Sequence, residues 1–518
     1  MNAAPLMEYV GERRKWSYIS VAISLYLAYK VYKVFHVPAT LRHIPAVPYW
    51  RMIKSYLAKD SPQMRLERLT LPVIRRSNGI YLNKVPFEWT VYIADPVAVK
   101  SLLLSKDMPK DPASLDMFEG TVRISEFFGT HSLALCHEAG WRRQPKLMNP
   151  PFNRAMPVDA FGTVMLRLYQ TIENDYDGKD VQVMDLMRKV CLATFGLGIF
   201  GLDFKALEER ELEWTTVYQE MRIALVDIFA YLFPSSGLLA RWFFPERSTT
   251  NDAISRMSEL LADMTEERRL VLEAQQQGDG IERAEIGKDL LTIMVEALMR
   301  DDGTLSSREL KENIASTFIA GYEIPSHVMS LCIYYLAIHK DIQDNARREV
   351  LDILGDGAKD VLPIHNNCER MEYLRMVIKE TLRLAPTVDL LWGRTTRKDL
   401  YLCNTLIPKG TTISIDIHAI QNNPDIWDNP SEFRPDRFAK GGENDKLEGM
   451  TWLPFSNGER KCIGAKFFMM EQVVCLAMLL RKYNWDLPED SIHRNGLVYK
   501  SIMNAAPESL TMNFTKRY

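Results

Sequence analysis

Several things are scarce or absent in this 518-residue chain. No CxxC pair occurs. The seven cysteines (Cys136, Cys191, Cys332, Cys368, Cys403, Cys462 and Cys475) are odd in number and widely scattered. That argues against a disulfide framework or a zinc site and leaves most of them as ordinary buried thiols. Neither charge sign dominates: 64 Lys plus Arg stand against 67 Asp plus Glu, a net charge of −3. Nucleic acid therefore has no electrostatic case as the partner. No glycine-rich nucleotide fingerprint precedes a suitable strand and helix, so any electrons the protein uses come from another protein. No repeat or low-complexity tract is present. Hydrophobic residues make up 47% and charged residues 25%, the balance of a folded globular protein and not of a membrane-embedded transporter. Length alone suggests roughly three domains at about 150 residues each.

Long apolar runs are also few, and the main one is at the start. Trp16–Tyr29 is uncharged and extends to Phe35 if Lys30 and Lys33 snorkel. A span needs about 20 mainly apolar residues, so the run suffices only with snorkelling. Pro38, Pro45 and Pro48 follow and stop any helix. The parsing is an N-terminal membrane anchor over 1–36, a proline-rich hinge over 37–50 and one large body over 51–518.

The body reads as mainly α with small β-sheets. Residues 205–231, 247–275, 287–300 and 306–353 carry apolar residues at three-to-four spacing. Residues 79–94 and 400–416 alternate like strands, with a turn at Pro408-Lys409-Gly410.

One cysteine has unusual neighbours. Phe455, Gly458, Arg460, Cys462 and Gly464 satisfy F-x-x-G-x-R-x-C-x-G at every specified position. The segment resembles the haem-binding loop of the cytochrome P450 family. A thiolate bound to haem iron stays deprotonated in a dry site only if backbone N–H groups face its sulfur. Gly458 and Gly464 permit the tight turn and the close approach of backbone to porphyrin. Arg460 is a permanent cation for a propionate, and Phe455 covers the thiolate face. The thiolate then pushes electron density toward the iron.

Further motifs lie upstream in the order that family requires. Glu380 and Arg383 form its E-x-x-R and share a helical face. Pro430–Phe438 resembles P-x-x-F-x-P-x-R-F, and the resemblance implies that Arg437 joins Glu380 and Arg383 in a buried structural triad. Arg394 matches a second propionate contact, and His418 lies where the family often has a histidine. Ala320, Gly321 and Glu323 match the centre of the long oxygen-handling helix. There the resemblance implies that Gly321 leaves room for dioxygen and that Glu323 is the acid of a proton relay.

Two departures stand out. The relay's alcohol is replaced by Ile324, followed by Pro325 and Ser326. Ser326 is two residues from Ile324, about 200° around the helix, and faces away from that position unless Pro325 distorts the helix. Trp141 matches the W-x-x-x-R that reaches the propionates, but Pro145 takes the arginine's place. Arg142, Arg143 or Lys146 is the compensating cation, Lys146 being nearest. Pro145 suits a helix that begins around Arg142 or Arg143.

The resemblance implies a P450 fold, one large domain around a buried haem b, and a haem-thiolate monooxygenase with Cys462 as axial iron ligand. It inserts one oxygen atom from dioxygen into a lipophilic small molecule. Oxidative phenol or aryl coupling, isomerisation of a peroxide-like substrate and a non-catalytic haem-binding role are the alternatives. The implied partners are an NADPH-dependent cytochrome reductase flavoprotein and cytochrome b5. The implied place is the endoplasmic reticulum membrane, single-pass, with the body on the cytosolic side. Candidate substrate contacts are the loop over 110–131, the apolar stretch 229–245 that could enter the bilayer, and Leu384–Leu390, where Asp389 is unusual in an apolar setting.

Overall fold

The computed structural model describes residues 35–84, 89–105, 127–136, 138–208, 213–225, 246–277, 289–499, 507 and 509–518, with scattered positions between 21 and 32. Most of the anchor segment therefore lies outside the described residues. So do the greater part of the 110–131 loop and the stretch 229–245. Among the described residues no helix is long and apolar enough to cross a membrane.

The organising element is the helix Ser307–Ile338, about 48 Å long at 1.5 Å per residue. Its start is fixed by a capping box: Ser306 Oγ accepts the Glu309 N–H, and the Glu309 carboxylate accepts the Ser306 N–H at 2.9 Å. Its second half is buried nearly all round, as expected of a helix inside a large core. Val183–Phe195, Glu372–Leu384, Lys340–Leu354 and Ala465–Lys482 pack around it. The periodic run 306–353 is thus not one helix. It breaks at His339, whose φ of −118° and ψ of 82° end the first segment before Lys340 opens the next.

Pro325 lies inside the central helix without ending it. Proline supplies no N–H to the carbonyl four residues earlier, that of Gly321. Neighbouring side chains tie down the same turn: Ser326 Oγ donates to the Glu323 carbonyl at 2.7 Å, and Gln472 Nε2 donates to the Pro325 carbonyl at 3.1 Å.

Pro145 does not open its helix, contrary to the expectation above. That helix is Glu138–Asn153, with Pro145, Pro150 and Pro151 all inside it. Gln144, buried one position earlier, ties the helix to its surroundings by donating to the His131 carbonyl and accepting from Asn313 Nδ2.

The strands form a separate layer. Ile80–Lys84 pairs antiparallel with Trp89–Ile93, which runs parallel to Thr412–Asp416. The latter pairs antiparallel with Leu390–Thr395. Leu400–Leu402 and Thr405–Ile407 make a hairpin before the Pro408–Gly410 turn. Ile80, Leu82, Val91, Ile93, Ile413 and Ile415 build an apolar cluster here, beside the larger helical one.

Candidate active site

The loop Phe455–Gly464 is bent by specific backbone demands. Gly458 has φ +71°, and a Cβ there would lie 2.4 Å from the Leu103 carbonyl oxygen, so only glycine fits the turn. The Cys462 N–H donates back to the Phe455 carbonyl at 2.9 Å, closing the loop. Gly464 then leads into the helix Ala465–Lys482. A Cβ at 464 would meet Phe152 and Cys462 Sγ at ordinary contact distances of 3.7 and 3.9 Å.

Cys462 therefore sits before a helix N-terminus, where N–H groups favour negative charge. Burial pushes its thiol pKa up, while the N–H groups of Gly464 and Ala465 and the charge of Lys461 pull it down; the net shift is upward. Yet the residue is exposed. A side chain both accessible and surrounded by protein lines an internal space. The other core thiols differ: Cys191, Cys332, Cys368 and Cys475 are buried, and burial pushes Cys332 to about 12. A sulfur that needs an adjacent cation to become a thiolate, with backbone N–H groups already aimed at it, fits a haem iron ligand. Phe455 packs edge-on against Phe468, with centroids 5.1 Å apart, and also meets Trp452.

The cations at the site fall into two groups. The Arg460 guanidinium lies over the Trp141 ring at 4.6 Å and donates to the Cys136 carbonyl at 3.0 Å. Trp141 and Arg460, far apart in sequence, are thus brought into contact. Arg394 is buried after a bulge in its strand, where Gly393 takes φ +79°; bulges re-aim side chains in this way. Burial and the nearby charge of Arg460 lower the Arg394 pKa to about 10. Two like charges near each other in a dry place suit a dianionic edge such as a pair of propionates. Arg143 is committed elsewhere, to the Glu309 carboxylate and the Gly303 carbonyl. Arg142 and Lys146 are exposed.

On the central helix, Ala320 is exposed although Phe318, Ile319, Tyr322 and Glu323 around it are buried. Thr317, Gly321 and Ile324 are half-buried and share that face by their spacing. The least covered side of this turn is therefore Thr317–Ala320–Ile324. Gly321 has a packing duty: a Cβ there would lie 2.1 Å from the Phe195 ring. Its missing side chain lets the Val183–Phe195 helix approach. Ser326 is fully buried and bound to its own helix, so it does not stand in for the alcohol missing at 324. Glu323 points toward Val183–Phe195: Arg188 Nε lies 3.1 Å and His327 Nε2 2.9 Å from its oxygens. The sequence analysis missed both partners. His327, four residues on, was legible from helical spacing; Arg188, on another element, was not.

The triad is assembled with its three side chains fully buried. Arg383 grips Glu380 through two bonds of 2.7 and 2.9 Å, and Arg437 Nε adds a third at 3.2 Å. Glu380 also accepts the Arg434 N–H, and Arg383 reaches the Gln421 and Pro430 carbonyls.

The cytochrome P450 family model matches residues 59–508. The chain belongs to the cytochrome P450 family. It is 28% identical to cytochrome P450 3A16 of Mus musculus over 429 residues, which are 79% of this chain and 78% of that one. Cytochrome P450 3A5 of Homo sapiens is 27% identical over 431 residues, with the same coverage of 79% and 78%. The chloroplastic cytochrome P450 97B2 of Glycine max is 26% identical over 441 residues, covering 77% and 74%. A solved P450DA haem domain superposes with a TM-score of 0.72 at 23% identity, covering 92% of this chain and 97% of that one, which establishes the P450 fold. As a member of the family the protein is a haem-thiolate monooxygenase that uses a redox partner and, in general, a lipophilic substrate.

Proposed function

We propose that Cys462 would hold the iron of a haem b through its thiolate and that Ala320 and Ile324 face the same site from the central helix. The observation that carries this is Cys462 itself, accessible yet enclosed, below N–H groups that favour its thiolate. A bound haem would supply the oxygen-activating redox chemistry, with two electrons from the redox partner and two protons balancing the water formed. The chain's residues do the rest. Arg460, braced on Trp141, and buried Arg394 would hold the propionates. Phe455 keeps water from the sulfur, and Gly458 and Gly464 set the loop. Lys146, near the surface, takes the outer role left vacant by Pro145. Glu323 keeps the acid position of the relay, its carboxylate oriented by Arg188 and His327. The Glu380–Arg383–Arg437 triad locks the loop region and touches no substrate.

The finer reading is a membrane-anchored enzyme of the endoplasmic reticulum, with 1–36 as anchor, 37–50 as hinge and 51–518 as cytosolic catalytic body. It acts on a steroid, terpenoid, fatty acid or secondary metabolite, with electrons from NADPH through a reductase flavoprotein and cytochrome b5. Lys461 and Lys466 are exposed beside the cysteine loop and suit an acidic partner. Ile324 on the open helix face supports a second reading, oxidative coupling, in which oxygen insertion is suppressed.

The reduced carbon-monoxide difference spectrum tests the first claim. A 450-nm-type Soret band that disappears in Cys462→Ser is expected; its absence from the unmodified protein overturns the haem-thiolate reading. Reconstitution with reductase under labelled dioxygen separates the two reactions. Gain of one labelled oxygen means insertion; loss of hydrogen with dimer formation means coupling.

A further inference from the structure

The turn of the central helix that carries Ile324 is weak by sequence and heavily braced. Pro325 supplies no N–H to the Gly321 carbonyl, and it disfavours helical backbone at the residue before it, the β-branched Ile324. The helix nonetheless continues to Ile338. Three side-chain bonds gather on carbonyls of this stretch. Ser326 Oγ donates to the Glu323 carbonyl at 2.7 Å, and Ser330 Oγ to the Ser326 carbonyl at 2.8 Å. Back-bonds of this kind favour a bend and do not straighten it. The third bond comes from outside the helix: Gln472 Nε2 donates to the Pro325 carbonyl at 3.1 Å.

Gln472 lies on Ala465–Lys482, the helix that Gly464 opens directly after Cys462. Its place in that helix is about 10 Å beyond Ala465 at 1.5 Å per residue. The side chain is fully buried where this helix packs on the central one. A carbonyl only accepts, so the NH2 of the amide must face Pro325. Neighbouring Glu471 accepts the Thr194 hydroxyl, which ties the same stretch to Val183–Phe195. Gln472 Oε1, by contrast, is buried with no hydrogen-bond partner among the described residues. A buried amide with an orphaned oxygen is a costly way to fill space. Methionine has similar length and volume and would fill the place without it. Packing therefore does not account for the glutamine; its donor does.

A carbonyl inside a helix already has a donor four residues on, so a second donor is not needed to satisfy it. What the extra bond adds is a fixed distance between two helices. On one side lies Ile324, next to Pro325 and on the least covered side of its turn. On the other lies the helix that leads back to Cys462. We propose that Gln472 is a positioning residue: by holding the Pro325 carbonyl it sets where the Ala320–Ile324 turn stands relative to the cysteine loop. This rests on the haem-thiolate reading and adds to it what fixes the spacing between the two sides of the site. A misplacement of about 1 Å in such a site costs up to roughly 100-fold in rate, so a single bond matters.

The test uses the full-length haem protein with carbon monoxide as the probe. Gln472→Met keeps the volume and removes the donor. Gln472→Asn keeps the amide and withdraws it by one methylene, so whichever variant retains haem gives the reading. The C–O stretch of the reduced carbon-monoxide complex, read by infrared spectroscopy, reports on the groups lining the side of the iron opposite the sulfur. Both variants should shift and broaden that band. Gln472→Met should leave Tm at the parent value, because the orphaned oxygen goes with the donor. Pro325→Ala restores the missing N–H and regularises the turn, and in that background Gln472→Met should add no further shift. An unchanged band overturns the inference, as does a lowered Tm with an unchanged band, the mark of a merely structural role. An equal added shift with and without Pro325 also overturns it, because the bond then does not act through the proline turn. An unmodified protein without the 450-nm-type band refutes the haem reading instead, so the two failures are separable.

Discussion

Glu380→Ala isolates what burial does to an ion pair. Its carboxylate accepts two bonds from Arg383, one from Arg437 and the Arg434 N–H, and the three charged side chains are fully buried. Removing it leaves the buried Arg383 guanidinium without its carboxylate partner, while Arg437 keeps only Glu443. Breaking such a pair from one side typically costs about 3–5 kcal/mol. Unfolding entropy of roughly 2.1 cal/mol/K per residue, over 518 residues, amounts to about 1.1 kcal/mol per degree at the midpoint. The expected fall in Tm is therefore about 3–5 °C, with faster haem loss because the triad holds the segment that leads to the cysteine loop. Arg75 and Asp425 provide the control. They form a comparable two-bond pair at 2.8 and 2.9 Å, but each is about half exposed. Water already solvates both, so Arg75→Ala should leave Tm unchanged. The assay is differential scanning calorimetry of the purified haem protein, with haem loss followed at the Soret band. Equal effects of the two substitutions, or a Glu380→Ala protein as stable as its parent, would refute the argument.

Other consequences can be checked with similar preparations. Burial raises the Glu471 carboxyl pKa to about 8, above its unfolded value near 4.5. The folded state therefore holds a proton the unfolded chain releases, and stability falls as pH rises from about 4.5 to 8. Glu471→Gln should flatten that decline and raise Tm at pH 8.5 relative to the parent; an unchanged Tm–pH profile contradicts it. Gly321→Ala should lower Tm through collision with Phe195, about 1–3 kcal/mol for overpacking, while keeping the carbon-monoxide band. Unaltered Tm with increased peroxide release would instead place the glycine's role at dioxygen. Gly458→Ala, forced to φ +71° against the Leu103 carbonyl, should weaken haem retention, measured by transfer to apomyoglobin. Ile324→Thr should raise product formed per electron pair; an unchanged ratio means the missing hydroxyl is supplied from elsewhere.

Much of the fold and of the site was legible in the chain alone, because local chemistry demanded it. The Phe455–Gly464 loop is short, and its glycines, arginine and cysteine sit at fixed offsets, so the proposed thiolate site is visible in the sequence alone. The Glu380/Arg383 pair follows from helical spacing, and the strand segments around 80–93 and 400–416 from alternation and turn residues. Expectations weakened wherever burial or a distant element decides. The 306–353 run has one continuous apolar period, but the chain turns at His339, which periodicity does not record. Pro145 suggested a helix start, yet tertiary packing through Gln144 and Arg143 holds a helix that begins at Glu138.

The sequence by itself therefore determined the family, the cysteine proposed to hold the iron and the departure at position 324. Each depends on residue types within a few positions of one another. Only the tertiary structure decided direction and company. It turned Ala320 and Ile324 to an open face, filled the space at Gly321 with Phe195, and paired Glu323 with Arg188. Those outcomes depend on which elements pack together and on how much water they exclude, quantities that no linear spacing contains.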